Sequence, residues 1–325
     1  MSIRSGKIKL VLIIITLVMT FQVGSALATG SSRERQQAFD DQRSAAQAAV
    51  HWLVREFQND DGGYASLSTG ANEAPSSIPG TLDAILAIAA TGNNPAARFP
   101  NQESTPMRFL VDQFDELLAF AAVNGGQAGK VVLALSAAAV DPRQFEGHNF
   151  VDVLTDFEEP SGAYAVEDAF KQGMAILGLA SVGEPVPDTA LVWLTDKQAA
   201  DGSWDDGFGT MSNPDATAIA SMALLAAGRP LNDPTITAAK DFMADARQES
   251  GWEYGPGFGP NPNSTALVIQ ALSAMGEDWY SDSGAWVVGG QSPLQALLAF
   301  QSASGAFQSD FGQGPFDDAY ATMQA

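Results

Sequence analysis

One short motif recurs along this chain and limits what the chain can fold into. A predicted helix ends in Gln, and a Gly and an aromatic residue follow, as in Gln198-Ala-Ala-Asp-Gly202-Ser-Trp204. The glycines of successive copies are 40 to 54 residues apart, with one double gap of 100 residues. A fixed period of this length is typical of repeated supersecondary units, so the sequence predicts an array of helical hairpins.

The residues of this motif suit a structural role at the junctions between repeats. The Gln amide can bond backbone groups at a neighbouring helix end, Gly permits a left-handed turn, and the ring covers the junction. One copy has Glu158 in place of Gln, and another has a shorter spacer before its Gly. We therefore assign these positions to structure and not to catalysis: Gln58, Gly62, Gly162, Gln198, Gly202, Trp204, Gln248, Gly251, Gln301, Gly305 and Phe307.

The helices predicted between the motifs come in pairs of different character. First helices such as Pro187–Ala199 mix aromatic and charged residues, whereas second helices such as Ala216–Ala227 are nearly uncharged and so predicted to be buried on all sides. Six such pairs predict an all-α fold, an α/α toroid in which six inner and six outer helices form a double-layered α6/α6 barrel. An open helical solenoid is the alternative. Other predicted helices are Ser44–Phe57, Thr81–Thr91, Met107–Val123, Lys130–Val140, Phe150–Phe157, Asp168–Ser181, Asp233–Glu249 and Ser264–Met275.

The N-terminus predicts export. Basic residues precede the apolar run Leu10–Met19, and Ala26-Leu-Ala28 follows, which is the pattern of a cleaved secretory signal. We predict a signal peptide over 1–28, a flexible leader over 29–43 and the repeat domain over 44–325, with its last repeat cut short. The expected location is outside the cell or on its surface, and an uncleaved signal that anchors the chain in a membrane is the alternative.

Charge and cysteine content exclude several classes of protein. The formal net charge is −22, and there is no Cys among the 325 residues. So acidic a chain argues against nucleic acid and anionic lipid as partners, because their phosphates require Lys and Arg. Without Cys there is no disulfide, no thiol nucleophile and no lipidated cysteine.

The repeated Gln-x3-Gly-x-Trp on paired helices resembles the QW motif of squalene-type cyclases, in the terpenoid cyclase and prenyltransferase superfamily of α/α toroids. The resemblance covers about 44–325 and is clearest at Gln198–Trp204. The stretches Gly126–Pro142 and Gly147–Leu154 are more similar to the secreted toroid domain of intrinsic factor and transcobalamin, and to bacterial surface repeat proteins. That second similarity implies a corrinoid as one possible ligand.

The catalytic signatures of the resembling enzymes are missing. Squalene-type cyclases protonate their substrate from an Asp-x-Asp-Asp motif, which does not occur in this chain. Every Asp pair lacks the third member of the magnesium-binding Asp-Asp-x-x-Asp, and the zinc site of protein prenyltransferases requires a Cys. Neither His51 nor His148 has a sequence context that favours a general base. We therefore predict no catalytic residue, no metal and no cofactor, although calcium is not excluded.

Two groups of residues remain candidates for a ligand site at the mouth of the barrel. Carboxylates near the starts of inner helices could bind a ligand, pair for glycoside cleavage, or hold calcium with Asp61, Asp201 and Asp205, but the same positions suit helix caps. Aromatic residues after the glycines could line the mouth or pack in the core. The predicted ligand-binding residues are Tyr64, Asp83, Tyr164, Asp168, Asp215, Trp252, Tyr254, Phe258, Asp317 and Asp318.

Together these observations favour an exported, non-catalytic α/α toroid. Its predicted partner is a small hydrophobic or corrinoid-like ligand, or an extracellular protein, bound at the barrel mouth. Two alternatives remain open: a terpenoid cyclase-like or prenyltransferase-like enzyme with a non-standard acid, and a surface interaction scaffold. Cyclised product from a polyprenyl substrate would decide for the enzyme.

Overall fold

The computed structural model of this 325-residue chain describes residues 32–66, 74–208 and 212–325. The predicted signal peptide over 1–28 lies outside these ranges. The regular secondary structure of the described residues is helical apart from one pair of two-residue strands, so the all-α prediction is confirmed. Within the same ranges, no helix combines the length and apolar character needed to cross a bilayer.

The first half of the fold contains a long first helix and then alternating outer and inner helices. The first helix runs directly into a π-helical turn, Leu53–Phe57. The helices are α1 (Ser32–Trp52), α2 (Ile78–Ala90), α3 (Pro106–Asp112), α4 (Phe114–Ala121), α5 (Gly125–Ala137), α6 (Phe150–Thr155) and α7 (Ala169–Ser181).

The second half continues the alternation. Its helices are α8 (Asp188–Asp196), α9 (Pro214–Ala226), α10 (Pro234–Asp245), α11 (Pro262–Ala274), α12 (Pro293–Leu298) and α13 (Ala319–Gln324). The strands β1 (Gln308–Ser309) and β2 (Phe316–Asp317) pair antiparallel in the loop before α13.

The inner helices α2, α5, α7, α9, α11 and α13 all start in the same way. The side chain of the residue before each helix accepts a backbone N–H from the first turn, which satisfies a donor that the helix itself cannot. These cap residues are Ser77, Asn124, Asp168, Asn213, Asn261 and Asp318.

The chain forms two compact units, one of which is Gln113–Asp245. In it, α7 packs between α5 and α9, and glycines permit the close approach. A Cβ on Gly129 would lie 2.4 Å from the carbonyl oxygen of Met174, and one on Gly173 would lie 2.6 Å from Ile219 Cγ2. Because nearly all of α9 is buried, these inner helices pack as a tight apolar layer.

The other unit combines the described residues up to Asp112 with Ala246–Ala325. There α13 packs against α1, α2 and α11, and a core cluster that includes Trp52, Tyr64 and Met323 joins α13 to α1 and α2. The Gln301 amide donates to the carbonyl of Ala45 in α1 at 2.8 Å. The last repeat of the chain therefore packs directly on the first helix.

Three differences from the predicted helix boundaries have structural consequences. Helix α1 already begins at Ser32, so the prediction of a flexible leader is wrong for 32–43, where Gln–Asp side-chain bonds four residues apart support the helix. Helix α5 begins at Gly125, earlier than predicted, and Asn124 caps it. The two glycines of its first turn are poor helix formers, so the sequence did not indicate a helix there. The outer helix predicted over Met107–Val123 is interrupted at Gln113, whose backbone leaves helical geometry, and nothing in the sequence explains that break.

Trp204 gives the sharpest test of the junction packing. Its ring is fully buried, and its indole N–H donates to the carbonyl of Leu194 at 2.7 Å. We expect Trp204→Ala to lower the free energy of unfolding by about 3–5 kcal/mol, because it leaves a cavity and an unsatisfied carbonyl. The measurement is thermal or urea unfolding, with Phe208→Ala, at a ring that is 80% exposed, as the control. Equal midpoints for the two variants would contradict this packing role.

Candidate functional site

Five motif glycines have one contact in common. Each has a positive φ, and the carbonyl of each accepts a hydrogen bond from a long polar side chain. At Gly202, φ is +89°, and a Cβ would lie 2.2 Å from the carbonyl oxygen of Ala238 in α10. The Gln198 amide donates both to the carbonyl of Gly202 and to that of Thr235 in α10, each at 2.9 Å. The donor therefore ties its own loop to the next outer helix.

In the third repeat the donor comes from an unexpected element. The sequence places Glu158 at the Gln position of the motif, but this side chain is exposed. Gln172 of the inner helix α7 supplies the contact instead: its amide donates to the carbonyl of Gly162 at 2.9 Å and accepts from the Tyr164 N–H at 3.1 Å. One amide thereby satisfies two buried backbone groups.

In the fifth repeat the assignment of Gln248 to the motif is wrong. Gln248 is exposed, whereas Arg247 is 7% exposed and donates to the carbonyls of Gly251 and Gln291, at 3.4 and 3.2 Å. Its guanidinium lies 4.8 Å from the centre of the Trp252 ring. Burial lowers the pKa of Arg247 to about 10. The sequence pattern fails at this repeat because it requires Gln, whereas Arg can make the same carbonyl contacts.

Sequence reasoning missed a set of buried threonines. In four copies of the motif, an aromatic residue donates its backbone N–H to a threonine hydroxyl at 2.9–3.0 Å. Each of these threonines is the fourth residue after an inner-helix cap. The sequence signal that could have found them is a Ser, Asn or Asp followed by any three residues and then by Thr. The threonines are Thr81, Thr217, Thr265 and Thr322.

The aromatic residues predicted at the barrel mouth divide into two groups. Tyr64, Tyr164 and Trp252 are at most 1% exposed, so the prediction that they contact a ligand is wrong in this structure, and they belong to the core. Tyr254 is half-buried and packs edge-on against Phe258, with the ring centres 5.8 Å apart. Phe258 is 74% exposed.

Two of the five carboxylates predicted to bind a ligand are helix caps, which is the alternative role that the sequence also allowed. Asp168 accepts the N–H of Lys171 at 2.8 Å and pairs with its ammonium group at 2.5 Å. Asp318 accepts the N–H groups of Tyr320 and Ala321 at 2.9 and 3.3 Å. Both carboxylates are committed to the starts of their helices.

Asp317 is engaged in the strand pair. Its carboxylate accepts the Ser304 hydroxyl at 2.6 Å and the Gln308 amide at 2.9 Å. Partial burial acts to raise its pKa, but the hydrogen bonds from Ser304 and Gln308 outweigh burial and hold the pKa below the usual value. A carboxylate that stays ionised in this way is a poor proton donor. Asp83 lies further along α2 and is half-buried.

Asp215 occupies a different position from the other carboxylates. It is the second residue of α9, and one of its carboxylate oxygens is shielded from solvent. The preceding cap, Asn213, is fully buried and accepts the Ala216 N–H at 2.8 Å. Across the six inner helices, Asp215 is the one carboxylate at this position. The corresponding residues of the other five are Pro79, Gly126, Phe170, Asn263 and Tyr320.

The carboxylates considered for calcium hold their own loops together. Asp61 accepts the Gly63 N–H and the Ser76 hydroxyl at 2.9 and 2.7 Å. Asp201 accepts the hydroxyls of Ser203 and Ser212. In the parts of the chain that the structure describes, no three His, Cys, Asp or Glu side chains are grouped closely enough to hold a metal ion.

Comparison with solved structures shows the fold. A ligand-free variant of the type II terpene cyclase MstE from Scytonema is similar over 89% of this chain and 96% of that chain, with a TM-score of 0.54 and 12% identity. For a protein from Actinoplanes, the coverages are 81% and 82%, the TM-score is 0.53 and the identity is 14%. A glycosidase variant in complex with glucose is similar over 91% of this chain and 96% of that chain, with a TM-score of 0.52 and 13% identity. At these identities the likeness establishes the α/α-toroid fold and not the activity.

The comparison also corrects the predicted function. Similar structures include MstE variants in complex with the substrate geranylgeranyl dihydroxybenzoate and with the product merosterolic acid A, with TM-scores of 0.52 and 0.53. These neighbours are enzymes, which counts against the prediction of a non-catalytic ligand-binding protein, and the cyclase-like alternative is taken up below as a proposal. No protein-family model and no curated protein matches the sequence.

Paired variants test the two reassigned donors. We expect Gln172→Ala and Arg247→Ala each to lower the free energy of unfolding by about 2–4 kcal/mol, because buried carbonyls lose their donor. Glu158→Ala and Gln248→Ala, at exposed positions that the sequence pattern had favoured, should change it by less than about 0.5 kcal/mol. Urea unfolding of the four variants measures this. A larger effect at Glu158 or Gln248 would reverse the assignment.

Proposed function

We propose that the protein is a terpenoid cyclase-like enzyme that protonates a polyprenyl substrate and so starts its ring closure. The observation that carries the proposal is Asp215, the single carboxylate at the second position of an inner helix in the described chain. The fold shared with substrate-bound and product-bound terpene cyclases supports it.

The segment around Asp215 resembles a reduced form of the squalene-cyclase acid motif. Asn213-Pro214-Asp215-Ala216 has the spacing of Asp-x-Asp-Asp, with Asn in the first place and Ala in the last. Asn213 caps α9 with its side-chain oxygen, which is also what a carboxylate in the first place would do. The segment therefore retains the middle acid and its helix start although the full motif is absent.

The chemistry requires one proton donor and a site that excludes water. The Asp215 carboxyl group would donate its proton to one carbon of a terminal double bond, and the next double bond would attack the cation formed at the neighbouring carbon. Loss of a proton from the cyclised cation ends the reaction, so the product is an isomer of the substrate. Most of the residues that follow on α9 are apolar and buried, among them Ile219 and Met222, and such surroundings protect a cation from water.

Protonation fits this chain better than the other routes that the sequence analysis left open. The chain lacks the Asp-Asp-x-x-Asp motif that serves metal-assisted ionisation. Glycoside cleavage requires two carboxyl groups about 5–9.5 Å apart across a substrate. In the unit that contains Asp215, Asp168 is committed to a helix cap and an ion pair with Lys171. We therefore assign Asp215 the role of a single proton donor.

Product analysis tests the proposal. Purified protein is incubated with squalene or geranylgeranyl diphosphate, and products are identified by gas chromatography with mass spectrometry, after removal of the diphosphate where present. We expect cyclised isomers from the wild-type protein and a loss of at least about 100-fold in rate for Asp215→Asn, because an amide cannot supply the proton. Unfolding of Asp215→Asn should match that of the wild type.

Asp168→Asn is the matched control, because Asn caps a helix as well as Asp does and the residue lies at the start of the adjacent inner helix. This variant should retain most of the activity. Absence of cyclised product from both substrates, or equal rates for Asp215→Asn and the wild type, would refute the proposal. Release of sugar from aryl glycosides without any cyclised product would favour glycoside cleavage instead.

A further inference from the structure

A second buried carboxylate, that of Asp206, lies behind the cap of α9. The Asp206 side chain is 5% exposed, in the loop that leads from Trp204 to the helix. One carboxylate oxygen accepts the N–H of Phe208 at 2.9 Å, and the other accepts the side-chain amide of Asn213 at 3.2 Å. The helix cap is thus bonded to an acid from outside the helix.

This contact fixes which way the Asn213 amide points. A carboxylate only accepts hydrogen bonds, so the amide must turn its NH2 group to Asp206 and its oxygen to the helix. In that orientation the oxygen accepts the Ala216 N–H at 2.8 Å. The reversed amide would set an oxygen against the carboxylate and an NH2 group against a backbone N–H. Asp206 therefore selects the orientation that caps α9.

The other asparagine caps of inner helices are held differently. The Asn124 amide donates to Gln127 at 3.3 Å, and the Asn261 amide donates to Ser264 at 3.2 Å. Both of these partners belong to the helix that is being capped. Among these three caps, only the one on the helix that carries Asp215 is bonded to a buried carboxylate, and simple helix capping does not require that addition.

We infer that Asp206 is a positioning residue for Asp215. Its carboxylate holds the Asn213 cap, and the cap holds the first turn of α9, in which Asp215 is the second residue. The inference rests on the proposed function, since it assigns Asp206 a role in placing the proton donor. A misplaced acid slows proton transfer and leaves substrate binding largely unchanged.

Exchange of the two polar groups tests this inference. In Asn213→Asp, two carboxylates face each other in a buried site, which should lower both the unfolding midpoint and kcat. In the double variant D206N/N213D, the donor and acceptor change places, while the residue before α9 still offers an oxygen to the helix. We expect the double variant to recover most of the midpoint and of kcat.

The removal variant Asp206→Ala separates positioning from bulk stability. With squalene as the substrate, we expect kcat to fall on the order of tenfold with KM nearly unchanged. Hydrogen exchange followed by mass spectrometry should be faster in the first turn of α9, because its cap is loosened. A wild-type kcat in Asp206→Ala would overturn the inference, as would a double variant no better than Asn213→Asp alone.

The two failures are distinguishable. A wild-type protein that gives no cyclised product from squalene or geranylgeranyl diphosphate refutes the proposed function and, with it, the positioning role. A wild-type protein that does cyclise squalene, together with an Asp206→Ala variant whose kcat is unchanged, refutes the positioning role alone.

Discussion

The repeat junctions depend on one interaction, a buried side-chain donor that satisfies the carbonyl of a left-handed glycine. The turn brings that glycine against the backbone of the next outer helix, as Gly202 shows with Ala238, and a side chain on it would collide there. The carbonyl of that glycine then needs a donor, because an unpaired buried carbonyl is costly. Gln198, Gln172 and Arg247 meet this need from three different structural settings.

This constraint explains how far the sequence could predict the fold and where prediction failed. The spacing of the repeats, the glycines that end the helices and the uncharged second helices together predicted the all-α toroid, because these features reflect backbone geometry and burial. The motif donors were predictable only where the residue was Gln near its glycine. Gln172 lies ten residues after Gly162, on another helix, and Arg247 differs in chemistry, so spacing alone could not find either one. Export, calcium and corrinoid binding stay predictions.

The candidate site follows from the same architecture. Capping occupies the residue before each inner helix, and in four of the six a buried threonine occupies the fourth residue after the cap, so these positions serve the fold. The second position is left free to vary, and its residue types range from proline to tyrosine. Asp215 was included in the predicted ligand site, but its distinction from the caps Asp168 and Asp318 required the helix starts that the structure defines.

The central functional claim is that reaction begins when an acid donates a proton to a carbon atom. The most direct measurement is therefore isotopic: the wild-type protein is incubated with squalene in deuterium oxide, and the mass of the cyclised product is determined. A carboxyl proton exchanges with the solvent, so the account predicts one non-exchangeable deuterium in each product molecule, on the carbon that receives the proton. Cyclised product without deuterium would show that ring closure starts in another way and would contradict the account.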